Sequence, residues 1–404
     1  MDGSVTQRDQ SDRLVLPARD NFGPGPYIAF AVVAGLGHLG SSTMPVQVGI
    51  LTDSAHLSAT DTGFFSFCQI ASMAFLMMVL APYSARIPPV WSCTGGAVIV
   101  SCANLILYFD YSEIIRICIY SSLSGIGYGL LYGGFFVAGA GTKEPDRIYS
   151  FANAGSVIVT VAVIDVAGLA STWMSRPAAF LAFAAVPVVL LPCILPLAGL
   201  RGAASGTVSI ARPAPVPTRA GVVALLVLWV ASSMGMSAVW IFAERAGRAL
   251  HMSPAMLSVV FSTSIFAGIL GSTGSALLSR YLSRQALLVI GLTASGIGSI
   301  IIYIGSSSAV YVGGMVLFFI AVMFAYPILM GVAAAIDPTG RTGALAGGCD
   351  RMAFAVSGPV AGIMIDANVP LVAIGILGFA GCVGVLPFTL PAIVKTLNRT
   401  VHVP

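Results

Sequence analysis

The sequence predicts an all-α membrane protein of twelve transmembrane helices in two pseudo-symmetric bundles of six, with both termini cytoplasmic. Three observations predict it. Hydrophobic residues fill 57% of the 404 positions and charged residues only 8%, against about 25% charged in a soluble domain. Mean hydropathy is +0.95, and a bilayer removes the need to hide such a surface from water. Twelve apolar runs of spanning length follow one another, and the second six repeat the first.

The chain opens on a polar stretch carrying both signs of charge and no apolar core of signal-peptide length. Residues 1–26 are therefore expected to form a cytoplasmic tail. Runs of about 20 apolar residues then place spans at 27–51, 62–82, 90–109, 113–138, 148–170 and 178–198, a first bundle over 27–198. The longest polar interval, GLRGAASGTVSIARPAPVPTRA (199–220), is rich in Pro, Gly, Ala and Arg without a helical stripe, so 199–219 reads as a flexible linker. Spans at 220–242, 255–278, 286–305, 309–335, 342–365 and 370–393 make a second bundle over 220–393, and 394–404 a second tail.

Orientation follows from Lys and Arg, which are retained in cytoplasmic loops. With the N-terminus inside, fourteen of the 19 basic residues fall in inner segments, while Arg116, Arg176, Arg245 and Arg248 fall outside and Arg351 lies within a span. The formal net charge of +4 thus lines one membrane face, and no nucleic-acid partner is expected. The seven cysteines sit in apolar runs without a C-x-x-C pair, which argues against a disulfide framework or a metal site.

The halves align at an offset near 194. Arg86 in APYSARIPP faces Arg280 in SALLSRYLS, Arg147 in EPDRIYSFA faces Arg341 in DPTGRTGALA, and Tyr132 faces Tyr326. Six-span repeats of this kind place a solute near the midplane, between the halves. On these features the chain resembles the major facilitator superfamily of secondary transporters. That family's loop between helices 2 and 3, Gly-x-Leu-Ala-Asp-Arg-x-Gly-Arg-Arg, survives here as Arg86, with Ala81, Ala85 and Pro88 replacing the first glycine, the aspartate and the second glycine. Its second copy keeps Leu277, Arg280 and Arg284, with Ser279 in place of the acid. The resemblance implies that Arg86, Arg280 and Arg284 belong to an inner gate. The segment LSGIGYG (123–129) resembles the family's LQGIGAG, with Ser121 where the family carries an arginine. The predicted fifth span lacks the Gly-Pro of drug/proton antiporters, while SGPVAG (357–362) lies in the eleventh.

GLGHLG (35–40) fits a dinucleotide fingerprint letter for letter, but that fingerprint needs a preceding strand and a soluble helix. Inside a membrane helix its glycines read as close helix contacts. GIGYGLLYGG (125–134) reads likewise, as a smooth face for sliding contacts.

Charges inside the spans are the sharpest functional signals. Asp350 and Arg351 in GGCDRMAF (347–354) lie about 13 Å into their span, nine residues from Thr342 at 1.5 Å each. Adjacent helical residues project about 100° apart, so the two are not expected simply to neutralise each other. Asp350 is a gate partner for Arg86 or a proton carrier. Arg351, a permanently charged planar fork, is the expected anchor for an anionic solute. His38 is either an interhelical hydrogen-bond partner or a protonatable cavity residue. Asp165 either snorkels, pairs with an outer arginine such as Arg176, or carries a proton; Glu113 and Glu244 are expected to be solvated. Tyr128 and Tyr132, four apart and hence on one face, join Tyr326, Trp229, Gln69 and Asn153 in the expected solute cavity. Trp240 shares a face with Trp229 or belongs to the interfacial aromatic belt.

No P-loop, H-E-x-x-H or G-x-S-x-G occurs. The expected function is therefore non-enzymatic: a cofactor-free monomer in the cell (inner) membrane moving a small organic solute by alternating access. The solute is carboxylate-like, and protons are a candidate coupling ion by symport. Efflux of a drug or metabolite by proton antiport is the alternative.

Overall fold

A computed structural model describes residues 23–80, 87–140, 142, 145–199, 219–337 and 341–401. Helices α1 (Pro24–Ser42) and α2 (Met44–Ser54) form a pair bent by 45°, and Pro45 at the second position of α2 accounts for the break. Four unbroken helices follow: α3 (Ala59–Leu80), α4 (Pro89–Phe109), α5 (Ile114–Ala140) and α6 (Pro145–Trp173). A 3-10 turn at Arg176–Ala178 leads into α7 (Ala179–Val189) and α8 (Leu191–Ile194), a second pair bent by 44°.

The second half begins with α9 (Arg219–Ile241) and the short α10 (Ala243–Ala249). Helices α11 (Pro254–Leu278), α12 (Arg284–Ile304) and α13 (Ser308–Ile336) each start on a serine, Ser253, Ser283 or Ser307, whose hydroxyl accepts from an N–H three residues on. Helix α14 (Arg341–Asp366) follows, with its Thr342 N–H and hydroxyl on Asp337 at 3.0 Å. Then come α15 (Val372–Phe379), a π turn at Ala380–Gly384 and α16 (Leu386–Val401). The break before α8 and the break before α16 both precede Leu-Pro, at Leu191-Pro192 and Leu386-Pro387, so the halves end alike.

Among the described residues nine helices are long and apolar enough to cross a membrane, or eleven if each bent pair is one span. The long helix outside that set is α14, whose 26 residues include Asp350, Arg351 and Asp366. No strand occurs among the described residues. All seven cysteines are free thiols.

The halves meet along α3 with α14 and α6 with α11. Gly25 at the start of α1 lies beside Pro196, and Gly221 at the start of α9 beside Thr396. Trp240, at the far end of α9, donates to the carbonyl of Ser41 at the far end of α1 at 2.8 Å. Both helices therefore start at one end, termed proximal, and finish at the other, termed distal; the end of α16 is proximal too.

The glycines of the two motifs sit in membrane-length helices. Gly37 and Gly40 carry the rings of Tyr132 and Tyr128, each with its Cδ2 2.6 Å from where a Cβ would stand. Most of the α5 glycines pack tightly inside the first half: Gly127 would set a Cβ 2.8 Å from the Gly96 carbonyl, and Gly125 abuts Gln69 and Ser72, whereas a Cβ at Gly133 would meet nothing within 4 Å among the described residues. The packed ones close a seam within one half; they are not the sliding surface the sequence suggested.

Candidate functional site

Helix α14 organises the centre of the molecule. Asp350 and Arg351 lie midway along it, and the Asp350 backbone carbonyl accepts from Ser233 of α9 at 3.2 Å. Contrary to the expectation from helical angles, the two side chains do pair: Arg351 Nε stands 3.5 Å from Asp350 Oδ2. Long side chains reach around the 100° that separates their Cβ bonds. The pair is shielded, with side-chain exposures of 22% for Arg351 and 12% for Asp350. Burial makes mutual neutralisation the favourable arrangement.

Arg351 reaches groups of both halves. It lies within electrostatic range of His38 on α1, Tyr132 on α5 and Tyr326 on α13. His38 Nδ1–H donates to the Ala34 carbonyl at 2.8 Å, which leaves Nε2 to accept from the Tyr132 hydroxyl. The two rings meet edge to face at 4.8 Å. Tyr326 in turn packs edge-on against Trp229 at 6.0 Å. His38 is thus a satisfied hydrogen-bond partner that also borders the charge pair, so both of its sequence readings remain compatible.

Gln69 of α3 is fully buried with neither amide atom hydrogen-bonded. One neighbouring face of α3 packs on α5, with Ser72 against Gly125, and another packs on α14, with Gly63 and Ser66 against Gly358. At 100° per residue the Gln69 side chain leaves the helix between those two faces. The buried Tyr128 hydroxyl lies near Ser124 and Asn104 without a well-formed hydrogen bond. Unpartnered buried polar groups are uncommon and call for a partner. Asn153 is not part of this cluster: its side chain is exposed on α6.

The gate residues are less informative. Arg86 lies outside the described residues. Arg280 and Arg284 flank the turn before α12, exposed, with no ion-pair partner among the described residues.

Above and below the pair, α14 differs. On its distal side Gly358 and Gly362 press against the backbone of α3 at Gly63 and Ala59. On its proximal side, a Cβ at Gly343, Gly347 or Gly348 would meet nothing within 4 Å among the described residues. Gly347 and Gly348, four and three residues before Arg351, flank its face of the helix. Arg351 therefore sits where a tight seam gives way to open space.

The distal end is fastened by polar bonds that the sequence did not reveal. Arg176, after α6, pairs with Asp53 at 3.1 Å and with Glu244 of the second half. Arg248 reaches back to Asp53 at 3.1 Å. Glu244 is 2% exposed, against the expectation of solvation, because it rests on Gly49, which has no side chain to exclude it. Asp165 does not meet Arg176; it accepts from Ser262 of α11 at 2.6 Å, again across the halves. Trp240 is buried between Phe261 and Phe319 rather than placed in an aromatic belt, and does not share a contact with Trp229. Glu113 is exposed, as expected, beside Arg116 at 3.2 Å. Outside the spans, the Asp110 carboxyl is held down to about 2 by hydrogen bonds from Ser112, Arg116 and Tyr120. Those bonds use up the carboxylate of the distal surface pocket of about 600 Å³ that Asp110 helps to line, so the pocket offers no free charge.

No protein-family model matches the chain, and no curated protein matches it. Solved structures do. A point mutant of the nucleoside transporter NupG superposes with a TM-score of 0.73 at 11% identity, over 92% of this chain and 100% of that one. A point mutant of the peptide transporter POT gives 0.72 at 16% identity, over 95% and 97%. A D-xylose-proton symporter gives 0.67 at 14% identity, over 90% and 96%. The chain has the fold of major facilitator transporters. Solutes as unlike as a nucleoside, a peptide and a sugar on one fold mean that the solute must be argued from the site.

Proposed function

We propose that the protein is a secondary active transporter of the cell membrane, moving a small organic anion by alternating access with a proton as coupling ion. It crosses the bilayer twelve times, α14 included, with the proximal end and both termini in the cytoplasm. The observation that carries this reading is the position of Arg351 on α14, between a sealed distal seam and an open proximal space. An arginine at the centre of a membrane helix is unfavourable by about 2.5–3.5 kcal/mol on insertion scales. Its retention is explained if the space beside it is hydrated and takes an ionic ligand.

The chemistry follows from the pair. Arg351 is permanently charged, so within the pair the place for a coupling proton is the Asp350 carboxylate. A proton on Asp350 removes the charge that holds the guanidinium and frees its fork for a carboxylate, so one proton accompanies one anionic group and the site stays neutral. Tyr326, Tyr132, Gln69 and Tyr128 supply hydroxyl and amide contacts, and Trp229 an apolar wall. His38 orients Tyr132 and is a second place for a proton. Asp165 belongs to the distal closure, where a proton would weaken its acceptance from Ser262. Rocking the two bundles about the midplane then exposes the site to one side at a time.

The test is uptake by proteoliposomes of a panel of labelled monocarboxylates, dicarboxylates, neutral solutes and organic cations. Uptake of an anion, rising as the outside is acidified, is expected. Arg351→Gln should abolish that uptake, and so should Arg351→Gln combined with Asp350→Asn. The double variant leaves neither charge uncompensated and should keep the purified protein's melting temperature within a few degrees. Transport confined to cations or neutral solutes, or undiminished transport by Arg351→Gln, would refute the assignment.

A further inference from the structure

The first turn of α3 is capped twice, once from within the first half and once from the second. Ser58 is the local cap: its hydroxyl accepts from the N–H of Asp61 at 3.1 Å and donates to the Asp61 carboxylate at 2.9 Å. That leaves the N–H groups of Ala59 and Thr60, two of the four that every helix start leaves without an internal partner. Both are taken by one carboxylate. Asp366, the last residue of α14, accepts from Ala59 through Oδ1 at 3.0 Å and from Thr60 through Oδ2 at 2.7 Å. The positive end of the α3 dipole favours that anion further.

We infer that Asp366 is the distal gate residue of the transport cycle, and that the α3–α14 seam beneath it is the surface that parts. The seam is backbone on backbone: Gly362 lies on the Ala59 carbonyl, Gly358 on Gly63 and Ser66. Contacts this close cannot stretch; they hold or separate. The same two helices carry Gln69, ten residues below Ala59, and Arg351, fifteen residues before Asp366. The carboxylate at the tip therefore clamps the pair of helices that presents the site from either half. Opening the distal side uncaps Ala59 and Thr60 to water while Ser58 keeps the helix started, so α3 can leave α14 without unwinding. This assignment takes from the transporter reading only that the bundles rock, and it can be tested without any solute.

Spin labels on Glu113→Cys and Ser306→Cys, in an otherwise cysteine-free chain, report the distance between the distal turns of the two halves by pulsed electron resonance. Asp366→Asn keeps the shape and removes the charge. It should raise the population at longer distance about tenfold, the size of a lost charge-assisted hydrogen bond. Thr60→Pro removes one donor from the other side, at a first-turn position where proline is tolerated, and should act in the same direction. Asp61→Ala removes the local partner of Ser58 without removing a group that bonds Asp366, and should leave the distances alone. Unchanged distances in both Asp366→Asn and Thr60→Pro would overturn the assignment, as would an equal shift in Asp61→Ala, which would reduce the effect to fraying of α3. Uptake by the same variants is measured separately, so failure of the gate and failure of the transporter reading give different results.

Discussion

Glu244 shows what a single residue contributes when a charge is buried. It is 2% exposed, lies against a glycine and pairs with Arg176. Removing one partner of a buried pair leaves the other uncompensated, whereas removing both does not. Arg176 keeps Asp53 if Glu244 is lost, so the telling variant is Arg176→Met. It should destabilise the protein by about 3 kcal/mol, while Arg176→Met combined with Glu244→Ala should recover much of that loss. Denaturant melts in detergent check it, and additive losses would argue against a shielded pair. The central residues and the distal ones differ in how visible they are from sequence. Asp350, Arg351 and His38 stand out because any ionisable group within an apolar run is conspicuous. Asp53, Arg176, Glu244 and Asp366 sit at the ends of runs, where charges are ordinary. Whether such a charge faces water or the other half is decided by tertiary packing, which no local pattern records.

At the scale of the helix, glycines decide how the elements meet. Gly37 is the clearest case, since a Cβ there would stand 2.6 Å from the Tyr132 ring. Gly37→Ala should push that ring off α1, break its bond to His38 and cost about 1–3 kcal/mol by overpacking. Gly95→Ala, where a Cβ meets nothing, should be neutral in both melting and uptake; equal effects of the two would remove the special role of Gly37. The positions of the helices were legible because hydropathy over about 20 residues is a strong signal. The bends at Thr43 and Leu190 were not, although Pro45 and Pro192 mark them, because a proline near a membrane surface is equally compatible with a turn. The α5 glycines were legible as contacts but not as contacts of a particular partner. Periodicity gives a face, and only the packed structure says that this face meets α3 and α4.

For the molecule as a whole, the bonds between the halves at the distal end and, among the described residues, the open space along proximal α14 support the proposed arrangement of one side closed and the other accessible. A transporter that alternates must also visit the reverse arrangement, and the site near Arg351 must then be reachable from outside. Gly347 lies one turn before Arg351 with open space around it, so a thiol placed there reports access to the site. The decisive measurement uses a cysteine-free chain carrying Gly347→Cys, treated with a membrane-impermeant thiol reagent in right-side-out and inside-out vesicles. The same chain carrying also Asp53→Cys and Arg248→Cys, joined before labelling by a bifunctional thiol reagent that spans the length of the lost ion pair, provides the closed reference. The account predicts labelling from both sides, with the distal cross-link abolishing the reaction from outside and sparing the reaction from inside. Labelling from neither side, or labelling from outside that survives the cross-link, would contradict it.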